Sequence, residues 1–381
     1  MPARGRYDRT PGEVKVNGAN RMLSFGAGPA RWPEAVLRRA KEGLDPARFG
    51  GLSVLEIGHR GPDYARIHEE VRERLRRLLA VPEDREILLL PGGATMQFAM
   101  LPLNLRRDGR PVDVVLTGRW AEKALEHARA SGPVRVAASG KEQSYRIVPP
   151  PEAWAVRADA AYLHVTTNNT VFGTRLARLP EDLPVPLVGD ASSEILAAPL
   201  PVSRFAVLYA GAQKCLGPAG LAVVVIRRDL LEAVPEGLPP MLSYRAHAAA
   251  GSRLNTPPTA LVWLMGLMLE WIEEEGGAEE MHRRTRERAA LVYEALDRHP
   301  EVYEPVAAPP CRSLTNVVFR LRNPGLQPRF LEAARAAGLV GLAGHRSVGG
   351  LRASMYTGMP VEGARRLAEF LDRFAADGGA V

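Results

Sequence analysis

Apolar positions along the chain change period several times, and each change marks an element. Between Asp63 and Ala80 the apolar residues Tyr64, Ile67, Val71, Leu75, Leu78 and Leu79 recur at helical spacing. That spacing predicts an amphipathic helix with Asp63 as its candidate N-cap. The run EILLLP that follows is continuous rather than periodic, as in a strand buried on both faces. Gly92-Gly93-Ala94-Thr95 then opens a helical run, MQFAMLPLNL. Beyond it VDVVLTG, PVRVAAS, AAYLHVT, PLVGDAS, FAVLYAG and LAVVVI read as strands, and WAEKALEHARAS as a helix. Short β-branched runs interleaved with helices predict an α/β domain around a mostly parallel or mixed sheet.

After Pro257-Pro258 the character changes. A long apolar helix, TALVWLMGLMLEWIEEE, ends at Gly276-Gly277 and leads into the charged helix MHRRTRERAALVYEALDRH. NVVFRLR and GLRASMY then read as strands, PRFLEAARAAG and EGARRLAEFLDRFA as helices. This predicts an N-terminal arm over 1–33 packing with the tail, a large domain over 34–276 and a smaller α+β domain over 277–381.

Composition narrows the class. At 381 residues and 46% hydrophobic, the chain is not disordered. No apolar run approaches the roughly 18 residues of a membrane span. The first twenty residues lack the apolar centre of a secretory signal. Cys215 and Cys311 make no disulfide framework and have no metal-ligand spacing, which points to the reducing cytoplasm and to no metal. The net charge of +7 suggests nucleic acid until the residues are placed. Five lysines leave 45 arginines among the 50 basic residues, and these alternate with Glu and Asp in stretches such as VRERLRRLLA. That is an ion-paired surface, not a basic stripe, so no nucleic-acid partner is expected.

Ligands of open α/β sheets sit beyond the carboxyl ends of the strands, so polar residues stranded after apolar runs are the candidates. In LPGGATMQF a strand, a glycine turn and a helix start offer backbone amides to a phosphate, although a plain strand-to-helix turn reads the same way. Asp190 ends the strand of PLVGDASS, either capping Ser192 or Ser193 or facing a cation. Lys214 stands in a small-residue loop between two apolar strands, where a lysine is half buried and suited to forming a Schiff base. Trp120 starts a helix after a strand end, placing a flat ring at the mouth. His59-Arg60 and His345-Arg346 with Arg352 offer forks for carboxylate or phosphate. A Schiff-base lysine, an aspartate for a pyridinium nitrogen, a stacking ring and a phosphate cradle are the parts of a pyridoxal-phosphate site.

With those residues in place, the chain resembles the phosphoserine aminotransferases, class V members of the fold-type I pyridoxal-phosphate enzymes. The resemblance runs from about Arg21 to Phe374 and is carried by FGAGPA, SVLEIGHR, LPGGATMQFAMLPLNL, YAGAQKCLGPAGL, GSRLNTPPT and GLAGHRSVGGLRAS. It implies a large domain with a mostly parallel sheet flanked by helices and a smaller C-terminal α+β domain. It implies pyridoxal 5'-phosphate as cofactor, with Lys214 as the Schiff-base and proton-shuttling residue, Asp190 on the ring nitrogen and Trp120 stacked on the ring. Ala94, Thr95 and Gln213 would hold the cofactor phosphate, and Asn255 and Thr256 would reach it from a second subunit, making a homodimer. Thr170 would contact the ring's phenolic oxygen. Arg60 and Arg352 would grip the substrate carboxylate, while His59, His345 and Arg346 bind its phosphate or the glutamate side chain. The implied reaction moves the amino group of L-glutamate to 3-phosphohydroxypyruvate in serine biosynthesis, with the phosphorylated four-carbon oxo acid of pyridoxine biosynthesis as a further substrate.

The family pattern is not matched everywhere. Its usual asparagine-glutamate-threonine is Asn168-Asn169-Thr170, Cys215 follows the lysine, Ala27 replaces a frequent serine, and Thr95 stands where some members carry arginine. Trp32 has no counterpart in the pattern. The competing readings are a class V transaminase for a non-phosphorylated substrate, such as alanine–glyoxylate, a cysteine desulfurase, and a cofactor- or nucleic-acid-binding remnant.

Overall fold

The computed structural model describes residues 21–378. Seven strands form the central sheet: β1 (Arg85–Pro91), β2 (Val112–Leu116), β3 (Val134–Ser139), β4 (Leu163–Thr166), β5 (Leu187–Asp190), β6 (Val207–Gly211) and β7 (Leu221–Arg227). Their order is β1-β7-β6-β5-β4-β2-β3. Every adjacent pair is parallel except the two that β7 makes, so β7 alone runs backwards. The apolar runs are continuous because both faces are covered. Along β1, Ile87 and Leu89 enter one core with α1 (Pro62–Leu78) and a long helix, Thr259–Glu274; Leu88 and Leu90 enter another with α2 (Gly93–Leu105) and α3 (Arg119–Ala130).

The helix Thr259–Glu274 is α4, and α5 (Gly277–Arg298) links two cores. Met281 near its start packs with the large sheet, whereas Ala289, Val292 and Leu296 pack into a second centre. That centre holds an antiparallel sheet of β8 (Tyr303–Pro305), β9 (Asn316–Leu321) and β10 (Leu351–Ser354), backed by α6 (Gln327–Ala336) and α7 (Val361–Ala376). Leu23 and Phe25 are buried in it, and Leu23–Ser24 pairs in parallel with Leu339–Val340. Residues 1–20 of the expected arm lie outside the described residues.

Several local expectations need correction. The N-cap of α1 is Gly61, with Pro62 opening the helix and Asp63 in its first turn. Proline fixes the helical φ there and has no N–H to leave unpaired, so the start falls earlier than Asp63. The helix expected at Met96 begins at Gly93, directly after the strand. β8 carries no sequence signal, being three residues long and ending in proline. About half of the described arginines are ion-paired: Arg77 and Arg74 both reach Glu273, and Glu280 is shared by Arg283 and Arg284. Among the described residues no helix is long and apolar enough to cross a membrane.

In the small domain Phe330 is fully buried, with Phe370 and Phe374 edge-on at 5.1 and 5.0 Å between ring centroids. Phe330→Ala should therefore cost about 3–5 kcal/mol of stability, read as a lower urea midpoint. A loss below about 1 kcal/mol would mean that this cluster does not hold the domain together.

Candidate active site

Parallel strands deliver their carboxyl ends to one edge, and that edge is a cleft of about 460 Å³. β4 brings Thr166, β5 ends in Asp190, and the turn after β1 brings Gly92 to Thr95. The loop between β6 and β7 supplies Gln213 and Lys214, and α3 supplies Trp120. Lys214 Nζ donates to Thr170 Oγ1 at 2.7 Å and lies 5.8 Å from the Trp120 ring centroid.

Burial sets the electrostatics. Lys214 is 8% exposed, and desolvation brings its pKa down to about 8, against the opposing charge of Asp190. Desolvation likewise pushes Asp190 above the ordinary carboxylate range, opposed by bonds from Ser192 and by the charge of Lys214. Both bonds fall on Oδ1: Ser192 N–H at 2.9 Å and Ser192 O–H at 2.6 Å. Gly211 N–H donates to Ser192 Oγ at 2.9 Å, which turns the hydroxyl hydrogen toward the carboxylate. Asp190 thus caps Ser192 and faces the cleft at once. The sequence leaves Ser192 and Ser193 as equal partners for Asp190, and the pairing of β5 with β6 selects Ser192.

The residues present fit a group carrying both a phosphate and an aromatic cation. At the phosphate end, Gly92 and Gly93 have φ of 93° and 63°, a turn that strains any other residue. It frees the first-turn N–H groups of α2, including those of Ala94 and Thr95, for an anion. A Cβ built on Gly211 would lie 2.7 Å from Gln213 Oε1 and 3.3 Å from Ala94 N, so the glycine keeps that cradle open. Trp120 Nε1 and Thr166 Oγ1 line the cleft and are buried without a hydrogen-bond partner. At the far end Asp190 is a carboxylate placed to hold a ring N–H.

Above the cleft stands a cationic group. Arg352, on β10, is 8% exposed, its Nε is buried without a partner, and no carboxylate pairs with it among the described residues. His345 has its pKa lowered, first by burial and then by Arg352, Arg346 and Arg119. Arg119 is the member that sequence reasoning missed, although it adjoins Trp120. His345 Nδ1 lies 2.7 Å from Ser347 Oγ. Of the expected residues, Ala94, Thr95, Trp120, Asp190, Gln213 and Lys214 line the cleft; Thr170, His345, Arg346 and Arg352 are not in its lining, nor are His59 and Arg60, nor Asn255 and Thr256, which are expected to act from a second subunit. Arg60, Asn255 and Thr256 are exposed, and the Asn255 amide bonds only to the Thr256 carbonyl, at 3.2 Å.

The departures find local reasons. Asn169 is buried, accepting from Thr117 Oγ1 at 3.3 Å and donating to Thr174 Oγ1 at 3.2 Å, which ties down the strand end beneath Trp120. Trp32 covers Gly217 in the lysine loop, where an added Cβ would meet its ring at 3.1 Å. The Cys215 thiol is fully buried and burial pushes its pKa up to about 12. A thiol held protonated away from solvent is no desulfurase nucleophile.

An α/β sheet with a buried lysine and aspartate at its carboxyl edge defines a pyridoxal-phosphate transaminase site. The family model for Aminotransferase class-V matches residues 22–367, and the chain belongs to the class-V aminotransferases. Within them it is a member of the phosphoserine aminotransferase family. It is 48% identical over 354 residues to the phosphoserine aminotransferase of Geobacillus kaustophilus, covering 93% of this chain and 98% of the relative. The solved phosphoserine aminotransferase of Bacillus circulans subsp. alkalophilus is 40% identical with a TM-score of 0.92, over 94% of this chain and 99% of that one. The pyridoxal-phosphate-bound phosphoserine aminotransferase of Trichomonas vaginalis is 34% identical with a TM-score of 0.86, over 92% and 99%.

The raised pKa of Asp190 has a consequence for protein freed of cofactor. The folded state holds that proton more tightly than the unfolded chain, whose value is near 3.8. The ionised form is therefore penalised on folding, by an amount absent below the unfolded value and growing as pH rises through the folded one. Asp190→Asn should raise the melting temperature of the cofactor-free protein at pH 8 and gain little at pH 4. A difference independent of pH would mean that Asp190 is not desolvated as described.

Proposed function

We propose that this chain catalyses reversible transfer of the amino group between L-glutamate and 3-phosphohydroxypyruvate, giving 2-oxoglutarate and O-phospho-L-serine. The observation that carries the reading is the buried Lys214–Thr170 pair beside Asp190, beneath a partnerless Arg352. Pyridoxal 5'-phosphate, once bound, supplies the electron sink that stabilises negative charge at the substrate Cα. Ala94, Thr95 and Gln213 would hold its phosphate, Trp120 would face its ring, Thr170 would contact its phenolic oxygen and Asp190 would keep its ring nitrogen protonated.

Lys214 moves the proton. With a pKa near 8 its amine is available as a base near neutral pH, and Thr170 Oγ1 orients Nζ. Arg352 takes the substrate α-carboxylate, and its buried, unpaired fork makes that contact strong. His345 and Arg346 take the second anion, which is the phosphate of one substrate and the side-chain carboxylate of the other. A ping-pong cycle requires one site to hold both, and a cationic rim suits both.

The same reading calls for a homodimer. His59 and Arg60 join the anion site from a second copy, and Asn255 and Thr256 of the partner subunit complete the phosphate cradle. The phosphorylated four-carbon oxo acid of pyridoxine biosynthesis would use the same anion groups. Two free, buried thiols suit a cytoplasmic enzyme.

The purified protein should show a visible band that bleaches with L-phosphoserine and not with alanine. Bleaching by alanine alone would overturn the substrate. Lys214→Ala should abolish multiple turnover while leaving the circular dichroism unchanged; retained turnover would remove Lys214 from the mechanism. Arg352→Ala should raise KM for both glutamate and phosphoserine, and loss for only one would mean that the two carboxylates are bound separately. Co-expressed Lys214→Ala and Arg60→Ala subunits should regain activity that neither homodimer has, whereas no recovery would count against a shared site.

A further inference from the structure

β10 turns Leu351 and Ala353 into the small-domain core, so Arg352 and Ser354 face the opposite way. β9 does the same with Val317 and Phe319, leaving Asn316 and Val318 on the face that carries Arg352. In register, Asn316 lies across from Ser354 and Val318 across from Arg352, which makes Asn316 the diagonal neighbour of the arginine.

Asn316 is fully buried and its amide is fully used. Its oxygen accepts from Asn168 Nδ2 at 2.8 Å and Thr315 Oγ1 at 3.1 Å. Its nitrogen donates to Ser354 Oγ at 3.0 Å and Tyr356 Oη at 3.1 Å. Tyr356 in turn donates to the carbonyl of Ala27 at 3.0 Å. Asn168 belongs to the cleft wall, two residues before the Thr170 that holds Lys214, and its own oxygen accepts from Ser313 Oγ at 2.5 Å. One amide therefore joins the wall beside the lysine to the strand that carries the arginine.

Arg352 needs such support from outside. The fully buried Arg288 is fixed by its own bonds, to the Met359 carbonyl at 2.8 Å and Thr285 Oγ1 at 2.7 Å. Arg352 has no side-chain bond among the described residues, so its place is set by the strand beneath it. Its backbone N–H donates to Leu342 at 2.7 Å, which fixes height but not approach to the cleft.

We propose that Asn316 is a positioning residue: through Ser354 and Tyr356 it fixes β10 against the Asn168 wall and so sets how close Arg352 stands to Lys214. The inference rests on the reading of Arg352 as the carboxylate clamp. Electrostatics agrees, since burial chiefly lowers the Lys214 pKa and the charge of Arg352 adds to the lowering.

The test uses the cofactor-loaded enzyme and glutarate, a dicarboxylate with no amino or oxo group to exchange. Tyr356→Phe and Ser354→Ala each remove one hydroxyl, and Asn316→Leu removes the amide at similar volume. Each should weaken glutarate binding about fivefold or more. Each should also move the pH midpoint of the visible band upward, as the charge of Arg352 withdraws. In an Arg352→Ala background the same substitutions should change neither quantity. Binding like that of the wild type, equal losses in the Arg352→Ala background, or no glutarate binding by the wild type would each overturn the proposal. Glutarate binding needs no turnover, so an enzyme inactive on phosphoserine would fail the substrate reading while the glutarate series still decides this one.

Discussion

An ammonium and a carboxylate held away from water, Lys214 and Asp190, are the constraint on which the rest of the structure depends. Desolvating either charge costs several kcal/mol unless nearby groups compensate. The compensation is built into the sheet: Ser192 serves one Asp190 oxygen with Gly211 N–H behind its hydroxyl, and Thr170 serves the lysine. Adjacent parallel strands bring these groups together, because β5 and β6 end at the same edge. Both charges are left short of full compensation, which is why the lysine titrates near neutrality and the carboxyl is raised. A ligand that brings a phosphate and a ring cation removes that shortfall.

The second half of the site is positioned by a different kind of contact. Arg352 comes from a small antiparallel sheet with its own aromatic core, and α5 spans both cores. What lies between them is polar: Asn168, Ser313, Thr315 and Asn316 form a buried, mutually bonded group. Hydrogen bonds are directional where apolar packing is not, so such a layer specifies one arrangement of the two lobes. Thr357 adds another tie, donating to the Cys215 carbonyl at 2.6 Å, one residue from the lysine.

Charge supplies the remaining logic. About half of the described arginines pair with carboxylates, as at Glu273 and Glu280. Against that background the buried Arg352, with no side-chain partner among the described residues, and His345, whose pKa Arg352 and Arg346 help to lower, stand apart.

The sequence by itself determined the α/β class, the alternation of buried strands and helices, and the identities of Lys214, Asp190, Trp120 and the Gly92-Gly93 turn. These are local facts: continuous apolar runs mark strands covered on both sides, and a charged residue at the end of such a run stands out. The sequence pattern also gave Arg352 its place through the glycine-flanked HRSVGGLR segment. Only the tertiary structure decided the rest. The three-residue β8, the support of Asp190 by Ser192, the nearness of Arg119 to His345 and the Asn168–Asn316 bond all join residues distant in the chain or too ordinary to stand out. His59 and Arg60, which the family resemblance places at the substrate, are likewise left outside this chain's cleft lining, as are Asn255 and Thr256, which the same resemblance assigns to a second subunit. Pairing across strands and lobes is set by global packing, and no local pattern encodes it.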